Sequence, residues 1–391
     1  MAVKERIEVK PAIIHWMFER TGKHPDQEGA PAWTREAARW LKGGKPTPEQ
    51  LLNTTRSAHI AYYHLLEDEP PPKAVVPLPD MRTTDNCEII KPSLELLEAV
   101  HLCEWRQEWY RENLLELTDY SCDLVGSASL QDSPESVANK MRDLLKLPLI
   151  PEAGSWEDRL QQLAEAAELA NVLVMRAMMM ENRHRMLNPK EFRGFALADD
   201  VAPVIFINLA DNQGIQAFAF AHEFAHLMLG KTALSGSPRP TEETHDEEQW
   251  CSAVATEFLV PTRDFQKEYN ETNDPLKEAR RLSRRYRVST LVTLIRQKTL
   301  GLISNTQFQA AYDAEKASMA ARLKANSEHD QSWVRFCQLN AASPLVCRAV
   351  IYSVRAQKMT ERTACKMLGL GFGNSQSLSE LGELLGIEGQ L

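Results

Sequence analysis

No stretch of the chain approaches the ~18 consecutive apolar residues that read as a membrane-spanning helix. Its first twenty residues lack the charged-then-apolar pattern of a secretory leader. The seven cysteines are an odd number at irregular spacing, and no Cys-x-x-Cys pair occurs among them. That argues against a disulfide framework and against a thiolate zinc site. Positive charge is short as well. The formal net charge is −9, so nothing draws the whole chain towards nucleic acid or an anionic membrane. Internal repeats and long low-complexity runs are missing. What is present is ordinary: 43% apolar and 25% charged residues over 391 positions. This is the composition of a soluble globular protein, long enough for two or three domains of ~100–200 residues. A reducing cytoplasm is the expected compartment, with no membrane partner.

The chemistry concentrates in Phe218–Leu227, which reads Phe-Ala-Phe-Ala-His-Glu-Phe-Ala-His-Leu. These are helix-forming and apolar residues around His-Glu-x-x-His. At 3.6 residues per turn, His222 and His226 share one helix face. Two imidazoles so placed reach one tetrahedral Zn²⁺ at ~2.0–2.1 Å. Glu223, beside them, is positioned to take a proton from water at the metal. Two histidines satisfied inside a buried helix would account for the same letters, so the surroundings must decide. Upstream, Pro203-Val-Ile-Phe-Ile-Asn208 is a β-branched and aromatic run that reads as a strand, and 211–214 turn it into the motif helix. Downstream, the segment from Glu247 to Leu259 reads as a second helix, with an acidic first turn and Pro261 ending it. A catalytic zinc takes three protein ligands and keeps one position open. Glu248 on this second helix is the expected third ligand, with Glu247 the neighbour it could be confused with. Glu257 lies far along the helix and is expected to serve the surface or the edge of the core.

Together, Ile205-x-Ile207-Asn208, Phe218-x-x-x-His222-Glu223-x-x-His226 and Glu248-x-x-Cys251-x-x-x-Ala255-x-x-Phe258-Leu259-x-Pro261 resemble the ImmA/IrrE family of zinc metallopeptidases. The resemblance implies that His222, His226 and Glu248 hold zinc and that Glu223 is the catalytic base. It also implies a narrow substrate range, typically a partner transcriptional repressor cut at one site under stress or phage induction. The family often carries Asn or Asp after the cysteine of the second helix. Here Ser252 stands there, expected to orient the site rather than bind metal. His245 is either a donor to the transition state or a helix cap. A strand over 191–198 is expected beside 204–208 in a small sheet over the motif helix. Asn208 and the Val204–Phe206 edge would then flank the cleft and take an extended peptide by strand addition. Arg239, Arg263 and Lys267 are further candidates for substrate contact.

The remainder reads mainly as helix. In residues 1–66, helices are expected over 11–20, 31–41 and from Pro48, with Thr47 as the cap of the third. Trp40, Gly43, Pro46, Thr47, Gln50 and Leu51 resemble the end of a repressor-type (XRE) helix-turn-helix domain. On that resemblance Thr34, Arg35, Arg39, Lys42 and Lys45 would contact operator DNA. The unit holds ten Lys and Arg against seven Asp and Glu, and Pro25 and Gly29 interrupt the segment between its first two helices. A degenerate helical module kept for homodimerisation or docking fits these features too. Residues 67–92 form a proline-rich linker, whose Pro-Leu-Pro-Asp-x-Arg-Thr phrase the family pairs with the same terminal domain. Helices are expected from Leu94, from Ser133-Pro134, and from Ser155 through Met179. The methionines at 175 and 178–180 are read as core packing. After Pro261 the tail is helical. Its basic run Lys277, Arg280, Arg281, Arg284 and Arg285 is read as a solvated face rather than a second DNA reader.

The expected fold is therefore mostly α with a small β-sheet (α+β). A zincin-like metallopeptidase core within 93–272 is flanked by a helix-turn-helix-like domain at 1–66 and a C-terminal helical domain at 273–391. The expected function is a Zn²⁺-dependent endopeptidase acting on a regulatory protein, either a repressor or a toxin partner. The alternative is a DNA-binding regulator, or the antitoxin of a toxin–antitoxin pair, that retains a zinc site. Glu223 favours the first, because a structural zinc site needs no glutamate beside its histidines.

Overall fold

Apolar residues at helical spacing build the N-terminal unit. Helix α1 (Pro11–Thr21) buries Ile13, Ile14, Met17 and Phe18, and α2 (Ala32–Leu41) buries Trp33, Ala37 and Trp40 against them. Helix α3 (Pro48–Ala58) starts with a reciprocal cap. The Gln50 N–H donates to Thr47 Oγ1 at 3.3 Å and the Thr47 N–H donates to Gln50 Oε1 at 2.9 Å. Two otherwise unpaired amides of the first turn are thereby satisfied.

The computed structural model describes residues 6–21, 23–27, 29–58, 65–70, 92–116, 121–151, 156–180, 186–235, 242–325, 341–370 and 375–387. These fall into two units, Met1–Val76 and Pro77–Leu391. Fifteen helices and four strands lie among the described residues, none of the helices long and apolar enough to cross a membrane.

The second unit is built on a mixed sheet. Its strands are β1 (Leu173–Ala177), β2 (Gly194–Leu197), β3 (Val204–Asn208) and β4 (Ala233–Ser235), in the order β1-β3-β2-β4. β1 and β3 run parallel; β2 is antiparallel to β3 and β4. Every strand residue is buried, which requires cover on both faces. Val174, Ala196, Ile205 and Ile207 point into the core formed with α6 (Trp156–Leu169) and α7 (Gln213–Met228). The alternate residues face the other way. Phe195 and Phe206 stack there at 4.8 Å, and Met175 meets Arg106 of α4 (Leu94–Leu115). Helix α13 (Pro344–Arg355) packs on α4 and β1.

Two sequence expectations change here. The helix expected from Ser155 through Met179 ends at Leu169, because Asn171 adopts a left-handed backbone (φ 59°) and the Val172–Met175 run pairs with β3 as a strand. The Val204–Phe206 segment is not an edge: β3 is paired on both sides, and the free edges belong to β1 and β4.

Glu168, at the end of α6, ties the layers together. Its carboxylate accepts from the Val174 N–H at 2.9 Å and from the Leu345 N–H at 3.1 Å. It thus caps α13 from a distance, where Ser343 makes no side-chain cap bond. Burial pushes this carboxyl up to about 7, against the pull of those hydrogen bonds and of Arg176.

Helices α10 (Pro275–Tyr286), α11 (Thr290–Thr299) and α12 (Asn305–Ala325) pack on one another. The basic run on α10 is largely neutralised in place. Arg280 pairs with Glu315 at 2.6 Å, Arg281 with Glu278 at 2.7 Å and Arg285 with Glu268 at 3.1 Å. Arg280 and Arg285 thus tie α10 to neighbouring elements, while the Arg281 pair lies within the helix.

Candidate metal centre

Helix α7 carries the motif. Asn212 caps it by accepting from the Gly214 N–H at 2.9 Å, and every residue from 219 to 228 is buried. Its last turn would leave carbonyls unpaired away from water. The segment 121–133 supplies donors: the Gly126 N–H reaches Leu227 O at 3.1 Å and the Ala128 N–H reaches Met228 O at 2.8 Å. The Lys231 N–H takes His226 O at 2.9 Å. The carbonyls of the turn bearing His226 are thereby held by protein.

Helix α8 (Glu242–Leu259) packs along α7 and α5 (Pro134–Leu145), anchored by the Trp250 indole donating to Asp132 O at 2.9 Å. This places Glu248 over the two histidines. Its Oε2 lies 3.1 Å from His222 Nε2 and its Oε1 3.2 Å from His226 Nε2; the two Nε2 atoms are 3.1 Å apart. Glu247 points elsewhere, to Lys231 Nζ at 3.2 Å, which resolves the choice between the two glutamates. A tetrahedral Zn²⁺ with bonds of ~2.0–2.1 Å separates its ligand atoms by roughly 3.3 Å. The His222–His226 spacing lies near that value, Glu248 turns one oxygen to each ring at a similar distance, and one nitrogen from each ring plus one carboxylate is a zinc donor set.

The electrostatics fit the same reading. Burial holds His222 below the ordinary histidine range, which keeps its ring neutral, the form that binds metal. Burial alone would raise the Glu248 carboxyl, but the two imidazoles outweigh it and hold it at about 2. Glu223 is fully buried, and neither of its oxygens has a hydrogen-bond partner of good geometry among the described residues. Burial pushes its carboxyl well up against the pull of the nearby Ser235 hydroxyl, and the Glu248 charge adds to the rise. Such a group is primed to hold a proton. Ser252 Oγ sits 3.3 Å from His222 Nδ1, the ring nitrogen turned away from the triad. It takes the orienting position expected for it.

Other expected site residues lie elsewhere. Asn208 is buried and its side chain is used on backbone, donating to Phe192 O at 3.0 Å and accepting from the Ala210 N–H at 2.9 Å. It shapes the end of β3. His245 falls in the first turn of α8, and its side chain lies outside the described residues, as does Arg239. Arg263 is exposed and pairs with Glu135 at 3.4 Å. In the N-terminal unit Thr34 is buried, its hydroxyl donating to Pro31 O at 2.8 Å, so it offers nothing to a ligand. Lys45 pairs with Glu8 at 3.1 Å, whereas Arg35, Arg39 and Lys42 are exposed. Sequence reasoning passed over Gly194 and Ser235, which lie against Glu223. The one available signal was a glycine inside a strand pattern, which marks a close backbone approach.

Residues 167–298 match the family model of the IrrE N-terminal-like domain, peptidase family M78. The match spans about a third of the chain and contains the whole sheet, both site helices and the corner at Ser289, whose N–H donates to Gly214 O at 3.0 Å. No curated protein matches the chain. This region is thus similar to the IrrE N-terminal-like domain and carries a His-His-Glu group able to hold a metal.

Proposed function

We propose that the chain is a zinc-dependent endopeptidase of narrow specificity that cuts a regulatory protein, such as a transcriptional repressor. The observation that carries this reading is the convergence of His222, His226 and Glu248 on one point, beside a fully buried glutamate one residue along the same helix. When bound there, Zn²⁺ supplies Lewis acidity that polarises a scissile carbonyl and acidifies water. His222, His226 and Glu248 would hold it. Ser252 fixes the His222 ring. Glu223 takes the proton of the attacking water and returns it to the leaving amine. Narrow specificity follows from access. Among the three ligand side chains only Glu248, at 27%, is appreciably exposed. An extended segment suits such a site better than a folded surface.

Elemental analysis tests the centre. Wild type should carry about one zinc per chain, and His222→Ala and Glu248→Gln should each lose most of it. Metal-free wild type that takes up no zinc when supplied would sink the reading.

A second activity has its own observation. Arg35 and Arg39 on α2 and Lys42 at its C-cap lie at i, i+4 and i+7, exposed, with no ion pair among the described residues. That stripe suits the phosphates of operator DNA, or of the promoter of a toxin–antitoxin pair. Three phosphate contacts give a slope of about −3 in log affinity against log salt. Duplex binding by the full chain should show it, and Arg35→Glu with Arg39→Glu should abolish it. Equal binding by both proteins would remove this activity.

A further inference from the structure

Glu223 lies against the sheet where β2 meets β4. Gly194 and Ser235 face each other across that pair. A Cβ built on Gly194 would stand 2.7 Å from the Phe206 carbonyl oxygen, 3.1 Å from Glu223 Oε1 and 3.2 Å from Glu223 Cγ. The carbonyl belongs to the interior strand β3, held in the ladder on both sides, so it cannot give way cheaply. The backbone of Gly194 is not left-handed. The glycine is therefore required for space and not for conformation. Ser235 is buried, 7% exposed, and its hydroxyl, like both carboxylate oxygens of Glu223, has no hydrogen-bond partner of good geometry among the described residues. Three buried polar atoms thus converge over the one strand position without a side chain.

We infer that the cross-strand pair Gly194–Ser235 is the seat that positions Glu223, Gly194 by leaving room for its side chain and Ser235 by steering its carboxylate. Both are positioning residues. They act through Glu223 and touch none of the three ligands in the described contacts. The inference rests on the metallopeptidase reading above. A native side chain at 194 would lift Glu223 off the sheet by displacing its Cγ and Oε1 together. Displacements of about 1 Å at a proton-transfer group are enough to cost ~10²-fold.

The test uses Co²⁺ in place of zinc and acetohydroxamate as the probe, since a hydroxamate binds the metal through oxygen while its proton bonds to the adjacent glutamate. Visible absorbance of the Co²⁺ protein reads metal occupancy and hydroxamate affinity in one titration. Gly194→Ala should retain Co²⁺ and weaken hydroxamate at least ~10-fold, as Glu223→Gln does. In the Glu223→Gln background the same alanine should change affinity less than ~2-fold, because the interaction it disturbs is already gone. Ser235→Ala adds no atoms and should weaken hydroxamate by a few-fold, again only when Glu223 is present. It decides the matter if Gly194→Ala does not fold. Losses that persist undiminished in the Glu223→Gln background would show general distortion and overturn the inference, as would full affinity in both single variants. Wild type that takes up no Co²⁺ would instead overturn the metallopeptidase reading itself.

Discussion

Glu223→Gln is expected to bind zinc as wild type does and to lose peptide-bond cleavage by roughly 10²–10⁴-fold, the usual contribution of a positioned acid–base group. The substitution keeps the shape of the side chain, so the space beside Gly194 stays filled and α7 keeps its packing. It removes the one property the reaction needs, the capacity to accept a proton. Nothing in the ligand geometry depends on Glu223, because the three spacings near 3.1–3.2 Å involve His222, His226 and Glu248 alone. Metal content and catalysis should therefore separate cleanly in this variant and fall together in His222→Ala. Comparison of new protein N-termini in cells expressing either form gives the readout. Termini generated by wild type should vanish with Glu223→Gln, and the inert variant should retain its uncut partner. Identical sets of termini would mean that Glu223 is not the base.

The parts of this site legible in the sequence are those fixed by local periodicity. His222, Glu223 and His226 are set by one helical turn, and a helix of Phe and Ala residues allows little else. The residues of the second helix point to Glu248 through their resemblance to the family, although spacing alone leaves Glu247 open. Only the fold separates them, since Lys231 at the end of α7 holds Glu247. Non-local pairing was hidden. Residues 172–177 read equally well as the tail of an amphipathic helix, and their strand character comes from β3, some thirty residues away. The cover on the back of the sheet was likewise invisible. Glu168 and Arg106 show why: each spends its charge on backbone groups far along the chain, Leu345 for one and Ala341 and Met367 for the other. Gly194 escaped notice for the same reason, because what it makes room for lies on another element.

Glu257→Ala should be the most destabilising single change outside the metal centre. This carboxylate sits at the end of α8, 8% exposed, and accepts from the Thr262 N–H at 2.9 Å and the Thr262 hydroxyl at 2.7 Å. It also pairs with Arg296 of α11, itself 6% exposed, while Arg142 of α5 donates to the backbone carbonyls of Glu257 and Phe258. Helices α5, α8 and α11 and the segment beginning at Thr262 meet at this point. Alanine there would strand the Arg296 charge in the interior, and breaking a buried pair from one side costs ~3–5 kcal/mol. For a unit of this size that corresponds to a fall in melting temperature of roughly 10 °C. Replacing both partners, Glu257→Leu with Arg296→Met, should cost much less, because no charge is left unpaired. A double variant as unstable as the single one would show that packing, not the charge, is what matters. The pH dependence gives an independent check. Burial raises the Glu257 carboxyl, but the Thr262 and Arg296 contacts outweigh it and leave it below the ordinary value. Its stabilisation is thus present in full above the unfolded carboxyl pKa of ~4.3 and is lost as pH falls through the lower folded value. The gap between wild type and Glu257→Ala should accordingly stay constant from pH 8 to about 5 and close in stronger acid.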